Sequence, residues 1–87
     1  MNQLIFKTPE GPEENKGLKA EFTEHLSQRL REVRKTRKIT QQELADKAGL
    51  HLTYVGHLEL ATYRPTAFVL WKLASVLGIS IDELIGR

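Results

Sequence analysis

The 87-residue sequence has no cysteine, which excludes disulfides and thiolate metal ligands and suits a reducing cytosol. No apolar run approaches the roughly 20 residues that a membrane-spanning helix needs. The N-terminal stretch MNQLIFKTPEGPEEN lacks the basic start and long apolar segment of a signal peptide. Catalytic signatures are missing too. There is no HExxH and no glycine-rich phosphate loop, and His25, His51 and His57 lack the spacing of a metal site. Neither an enzyme, nor a bound metal, nor a cofactor is expected.

What the chain does have is locally concentrated charge. The net charge is only +2, and residues 1–20 balance three lysines against three glutamates. Residues 29–38, RLREVRKTRK, hold six basic side chains and one acidic one. Taken alone, such a run is a solvated helix face. Beside a DNA-binding element it becomes a phosphate-contacting surface.

A chain of this length supports one domain with a modest core. Pro9, Gly11, Pro12 and Gly17 argue against a helix or central strand in residues 1–20, so an irregular tail is expected over residues 1–21. Leu4, Ile5 and Phe6 form a short apolar patch within it that could pair as a strand or dock on a partner. A first helix is expected to begin near Phe22 or Thr23, with Thr23 as N-cap and Leu26, Leu30 and Val33 on one face. Ile39 then drops into the core. Thr40 and Glu43 form a capping box for a second helix. A third spans residues 53–60, and Arg64-Pro65 breaks the chain. Thr66 caps a fourth helix over Ala67–Leu77, with Leu70, Leu73, Ala74 and Leu77 inward, and Gly78 stops it. Ser80 caps a short fifth, IDELI.

Residues 40–59, TQQELADKAGLHLTYVGHLE, organise the whole. Ala45 is small where two crossing helices would approach most closely. Gly49 stands where the chain needs a positive φ to leave the first of them. Val55 and Leu58, three apart, share the inner face of the second. Leu44 and Leu50 close the wedge between them. This combination resembles the helix-turn-helix of the Cro and lambda-repressor (XRE) family, over roughly residues 23–85. The resemblance implies an all-α, five-helix lambda-repressor-like domain over residues 22–87. The segment LHLTYVGHLE also resembles the LHRTYIGxxE pattern of restriction-modification controller proteins, matching at His51, Thr53, Tyr54, Gly56 and Glu59 but not at Leu52.

That resemblance carries site expectations. Arg37, Lys38 and Arg34 would touch DNA phosphates, and Gln41 would contact a phosphate and brace the following helix. His51, Leu52, Thr53, Gly56 and His57 would face the major groove. Arg64, with Tyr63 through its hydroxyl, would clamp a phosphate. Glu59 would be structural, paired inward with Arg31 or Arg34. Two departures stand out. Leu52 occupies a position where a polar reader is common, and Leu60-Ala61 replaces the usual Asn-Gly or Arg-Gly close. Without a lysine or arginine in the reading helix, thymine-methyl contacts are favoured over guanine readout.

Phe68 and Trp71 exceed what one core-facing stripe uses, and Ile81 and Ile85 add further apolar surface. These four are the expected homodimer interface, since two-fold proteins match palindromic sites. The functional expectation is a cytoplasmic, sequence-specific duplex-DNA-binding transcription regulator, a repressor or controller acting as a homodimer on a palindromic operator. The alternative is an antitoxin-like interaction module whose N-terminal tail binds a protein partner.

Overall fold

The computed structural model describes residues 12–86 and folds them into five helices with no strand among them. They are α1 (Pro12–Thr36), α2 (Gln41–Ala48), α3 (Leu52–Glu59), α4 (Ala67–Leu77) and α5 (Ile81–Ile85). The apolar patch at residues 4–6, and with it most of the expected tail, lies outside the described residues.

Helix α1 starts ten residues before the expected Phe22, so the boundary drawn at residue 21 runs through a continuous helix. Of the four residues that argue against a helix, Pro12 and Gly17 lie within α1 and are tolerated for separate reasons. Pro12 sits at the first helical position, where the missing N–H would have no intrahelical partner and the fixed φ already suits the helix. Gly17 is exposed and costs up to about 1 kcal/mol relative to alanine without breaking the turn. Thr23 is therefore not an N-cap. It is buried mid-helix, and its hydroxyl donates to the Lys19 carbonyl at 2.6 Å.

The other starts follow local chemistry. Thr40 accepts from the Glu43 amide while the Glu43 carboxylate accepts from Thr40 N–H, and Ser80 and Glu83 repeat this box on α5. Thr66 caps α4. The backbone N–H bonds of Thr40 and Ser80 hold the Glu43 and Glu83 carboxyls below their ordinary pKa.

Four helix ends share one hydrogen-bond pattern. After α1, Lys38 N–H donates to Lys35 and Ile39 N–H to Arg34. After α2 the pairs are Gly49 to Asp46 and Leu50 to Ala45. After α3 they are Ala61 to Leu58 and Thr62 to His57, and after α4 Gly78 to Ser75 and Ile79 to Ala74. Each is a Schellman closure, which requires a left-handed residue at its centre. Glycine fills that position in two cases, but Lys38 (φ 59) and Ala61 (φ 63) fill it in the others. The residue after the left-handed one is Ile39, Leu50 or Ile79 at three of the ends, and each packs on the core.

The core combines Leu26, Leu30 and Val33 of α1 with Leu44, Ala45 and Ala48 of α2. Val55 and Leu58 of α3, Leu70, Leu73, Ala74 and Leu77 of α4, and Leu84 of α5 complete it. Helix α1 lies against α3 and α5, and α2 against α3 and α4. This leaves α3 with an inner face of Val55, Leu58 and Glu59 and an opposite face turned outward.

Candidate nucleic-acid interface

Helices α2 and α3 form the two arms of a helix-turn-helix. Leu44 and Ala45 are fully buried between them, and Gly49 (φ 66) turns the chain. One carboxylate fixes their mutual position. Arg34 donates to Glu59 twice, Nε to Oε2 at 2.6 Å and Nη2 to Oε1 at 3.0 Å, and its Nη1 donates to the Ile39 carbonyl at 2.9 Å. Gln41 Nε2 donates to Glu59 Oε1 at 2.9 Å, tying the start of α2 to the end of α3. Arg31 Nη1 donates to the Glu59 carbonyl. The hydrogen bonds to Glu59 raise the pKa of Arg34 above its ordinary value.

Most of the basic run is engaged inside the fold. The last carbonyls of a helix have no intrahelical donor and carry the negative end of its dipole. Arg31 supplies that donor to α3, Arg37 Nε to Leu77 of α4 at 2.9 Å, and Arg29 Nε and Nη2 to Glu83 of α5 at 3.2 and 2.8 Å. His25 Nε2 makes a 2.6 Å bond with the Gly86 carbonyl just beyond α5. Arg34, expected at a phosphate, is instead turned into the fold. Its three nitrogens are taken, and its guanidinium is nearly sealed from solvent. Arg37 keeps its terminal nitrogens but has a structural task. Lys35, Lys38 and Arg64 are exposed and have no side-chain partner among the described residues.

The outward side of α3 gathers the other expected residues. His51, at the N-cap, makes no capping bond, and it, Leu52 and Thr53 are exposed. Gly56 sits one turn further on, and a Cβ built there would meet nothing within 4 Å. His57 is less available than expected. Its Nδ1 pairs with the Thr62 hydroxyl at 2.9 Å and its ring stacks on Tyr63 with centroids 4.3 Å apart. Tyr54 lies 5.9 Å from Tyr63 in the same aromatic group, and partial burial raises its pKa. Sequence reasoning underrated Leu60. Its N–H donates to Gly56 O, so the helical register carries through it, and its side chain is 72% exposed. The i, i+4, i+8 spacing of Leu52, Gly56 and Leu60 was the available signal.

On α4, Phe68 and Trp71 are 62% and 58% exposed and stacked with centroids 6.2 Å apart, and Lys72 Nζ lies 5.0 Å from the Phe68 ring. Ile81 and Ile85 differ from them: both are half-buried and packed on the core. Among the described residues no group of histidines and carboxylates could hold a metal, and no helix is long and apolar enough to cross a membrane.

Buried inner helix, left-handed turn and outward second helix together define a helix-turn-helix domain. Residues 30–84 match the helix-turn-helix family HTH_3, and the chain belongs to this Cro/C1-type family. It is 38% identical over 62 residues to the immunity repressor protein of Bacillus phage phi105, a match spanning 71% of this chain and 43% of the relative. It is 33% identical over 67 residues to control protein C.SmaI of Serratia marcescens, covering 77% of this chain and 80% of that one. Among solved structures it is similar to the restriction-modification controller protein C.AhdI from Aeromonas hydrophila. There the TM-score is 0.70 at 35% identity, over 71% of this chain and 94% of the other. The chain spans less than half the length of the phage repressor and most of the length of the two controller proteins.

Proposed function

We propose that the protein is a sequence-specific duplex-DNA-binding regulator of transcription that acts as a homodimer on a two-fold operator. The observation that carries this reading is the outward face of α3, held rigidly against α2 by the Arg34–Glu59–Gln41 cluster. A helix docked in the major groove must keep its orientation to within a fraction of a base step, and a buried bidentate pair supplies that rigidity. His51, Leu52 and Thr53 enter the groove first, with Gly56 over its floor. His57 offers Nε2 beside the Tyr63 ring. Lys38 and Arg64 contact phosphates at either end of the motif, assisted by the Tyr63 hydroxyl and the outer nitrogens of Arg37. Gln41 meets the backbone at the start of α2 while bracing Glu59. Phe68 and Trp71 pair with their copies across the dimer axis.

Selection of bound duplexes from a random pool tests this. The expected outcome is a symmetric motif with half-sites about one helical turn, ~34 Å, apart. A pool that stays random after repeated rounds would reject it. Within the selected site, Thr53→Ala should erode preference at one base pair by about 1–3 kcal/mol. Lys38→Ala should weaken all sequences alike.

A further inference from the structure

Leu52, Gly56 and Leu60 lie as a stripe at successive turns along α3 and its C-cap, and both leucines are exposed rather than part of the core. Leu52 is 43% exposed and Leu60 72%, on a face where polar readers would be expected. Between them Gly56 leaves a notch. A Cβ there would meet nothing within 4 Å, so internal packing does not require glycine, although it costs helix stability of up to about 1 kcal/mol. Helix α3, Leu52–Glu59, contains no lysine or arginine, and its histidine, His57, is turned toward Thr62 and Tyr63. Thr53, exposed beside Leu52, adds a methyl as well as a hydroxyl.

Resting on the DNA-binding reading above, we infer that this stripe recognises the C5-methyl groups of thymine, so that operator choice depends on methyl pattern rather than on hydrogen bonds to guanine. The C5-methyl is the apolar group that a base pair presents in the major groove, and it distinguishes A·T from T·A as well as from both G·C orientations. Two leucines flanking a side-chain-free notch form an apolar surface that lets the helix backbone approach the groove floor. An apolar protein segment would suit the leucines but leave the notch and the flanking charge unexplained. Lys38 and Arg64, exposed and unpaired among the described residues, bracket the motif in the chain and favour a polyanion.

The test compares the duplex selected from the random pool with the same duplex carrying uracil at every thymine, which removes the methyls and leaves every hydrogen-bonding group in place. Each contacted methyl should be worth about four-fold in affinity, so two per half-site, four in the two-fold operator, lower binding by about two hundred-fold. Leu52→Ala should weaken binding to the thymine duplex, leave the uracil duplex almost unaffected, and so narrow the gap. Gly56→Ala should melt no lower than the natural protein yet bind the thymine duplex at least ten-fold more weakly. Equal binding of the two duplexes by the natural protein would overturn the methyl inference while leaving DNA binding intact. So would a gap that survives undiminished in both Leu52→Ala and Leu60→Ala, each confirmed as folded by its helical spectrum. If no duplex is enriched, and the same substitutions release a bound protein instead, the DNA reading and the inference both fail.

Discussion

The Arg34 guanidinium and the Glu59 carboxylate meet through two parallel hydrogen bonds of 2.6 and 3.0 Å, joining residues that lie 25 apart in the chain. Neither group has much access to water, with side-chain exposures of 12% and 3%. An acidic residue on a helix that faces DNA is electrostatically unfavourable unless its charge is neutralised on the protein side. Arg34 performs that neutralisation, and Gln41 occupies one of the remaining carboxylate sites.

Breaking this pair from one side leaves the other charge buried and uncompensated, which costs about 3–5 kcal/mol. Glu59→Ala is therefore expected to remove a large part of the stability of so small a domain, read as a lower urea midpoint. Arg34→Lys should be nearly as damaging, because an ammonium cannot bridge Glu59 and the Ile39 carbonyl at once. A Glu59→Ala protein with an unchanged midpoint would mean that the cluster does not hold α3.

The four shared helix ends give a prediction of opposite sign. Ala61 and Lys38 occupy left-handed positions that glycine fills after α2 and α4. Ala61→Gly should stabilise the fold by about 1 kcal/mol, because the Cβ penalty at φ 63 disappears. For a domain of this size that raises Tm by about 4–8 °C. Thermal melting of the single variant decides the point, and a lower Tm would show that the turn after α3 relies on the alanine methyl.

How much of this was legible in the sequence depended on the range of the interaction. The capping boxes at Thr40 and Ser80, the inner stripes of α1 and α4 and the turn at Gly49 are set by residues within one helical turn, and their patterns read directly. The start of α1 is not legible, because Pro12 and Gly17 count against a helix by type and only their positions in it make them tolerable. The role of the basic run was hidden for a different reason. Arg29, Arg31 and Arg37 reach carbonyls 54, 28 and 40 residues away, which no local periodicity encodes. The exposed stripe of α3 is half legible, since Leu52 stands where a polar reader is common while Leu60 falls at the helix end.

The same division predicts how salt acts. Each phosphate neutralised contributes about −0.9 to the slope of log affinity against log salt. With Arg37, Lys38 and Arg64 contributing from both subunits, the slope should be about −5 rather than the steeper value that all six basic residues of the run would give. Lys38→Ala should reduce its magnitude by about 2, since two copies are lost. Arg31→Ala should instead lower the melting temperature and leave the slope unchanged. A slope that responds equally to both substitutions would show that the arginines serve DNA as much as the fold.

The remaining prediction concerns self-association and separates four residues that the sequence had grouped together. Ile81 and Ile85 pack partly on the core, so Ile81→Asp would put a charge against Leu84 and its neighbours and unfold α5 before it disturbed any interface. Phe68 and Trp71 project outward as a stacked pair, with the Lys72 ammonium over the Phe68 ring. Little in the fold depends on their outer faces. Covering both rings contributes a few kcal/mol at about 25 cal/mol per Å², offset in part by the entropy of association. Trp71→Asp should therefore give a monomer that keeps its helical spectrum and melting temperature. That monomer should bind the selected operator far more weakly, because two half-sites about 34 Å apart no longer share one binding event. Sedimentation, melting and operator titration on one sample distinguish the possibilities. If the natural protein sediments as a monomer at tens of micromolar and Trp71→Asp binds the operator as tightly as it does, the exposed aromatic pair is not a dimer contact.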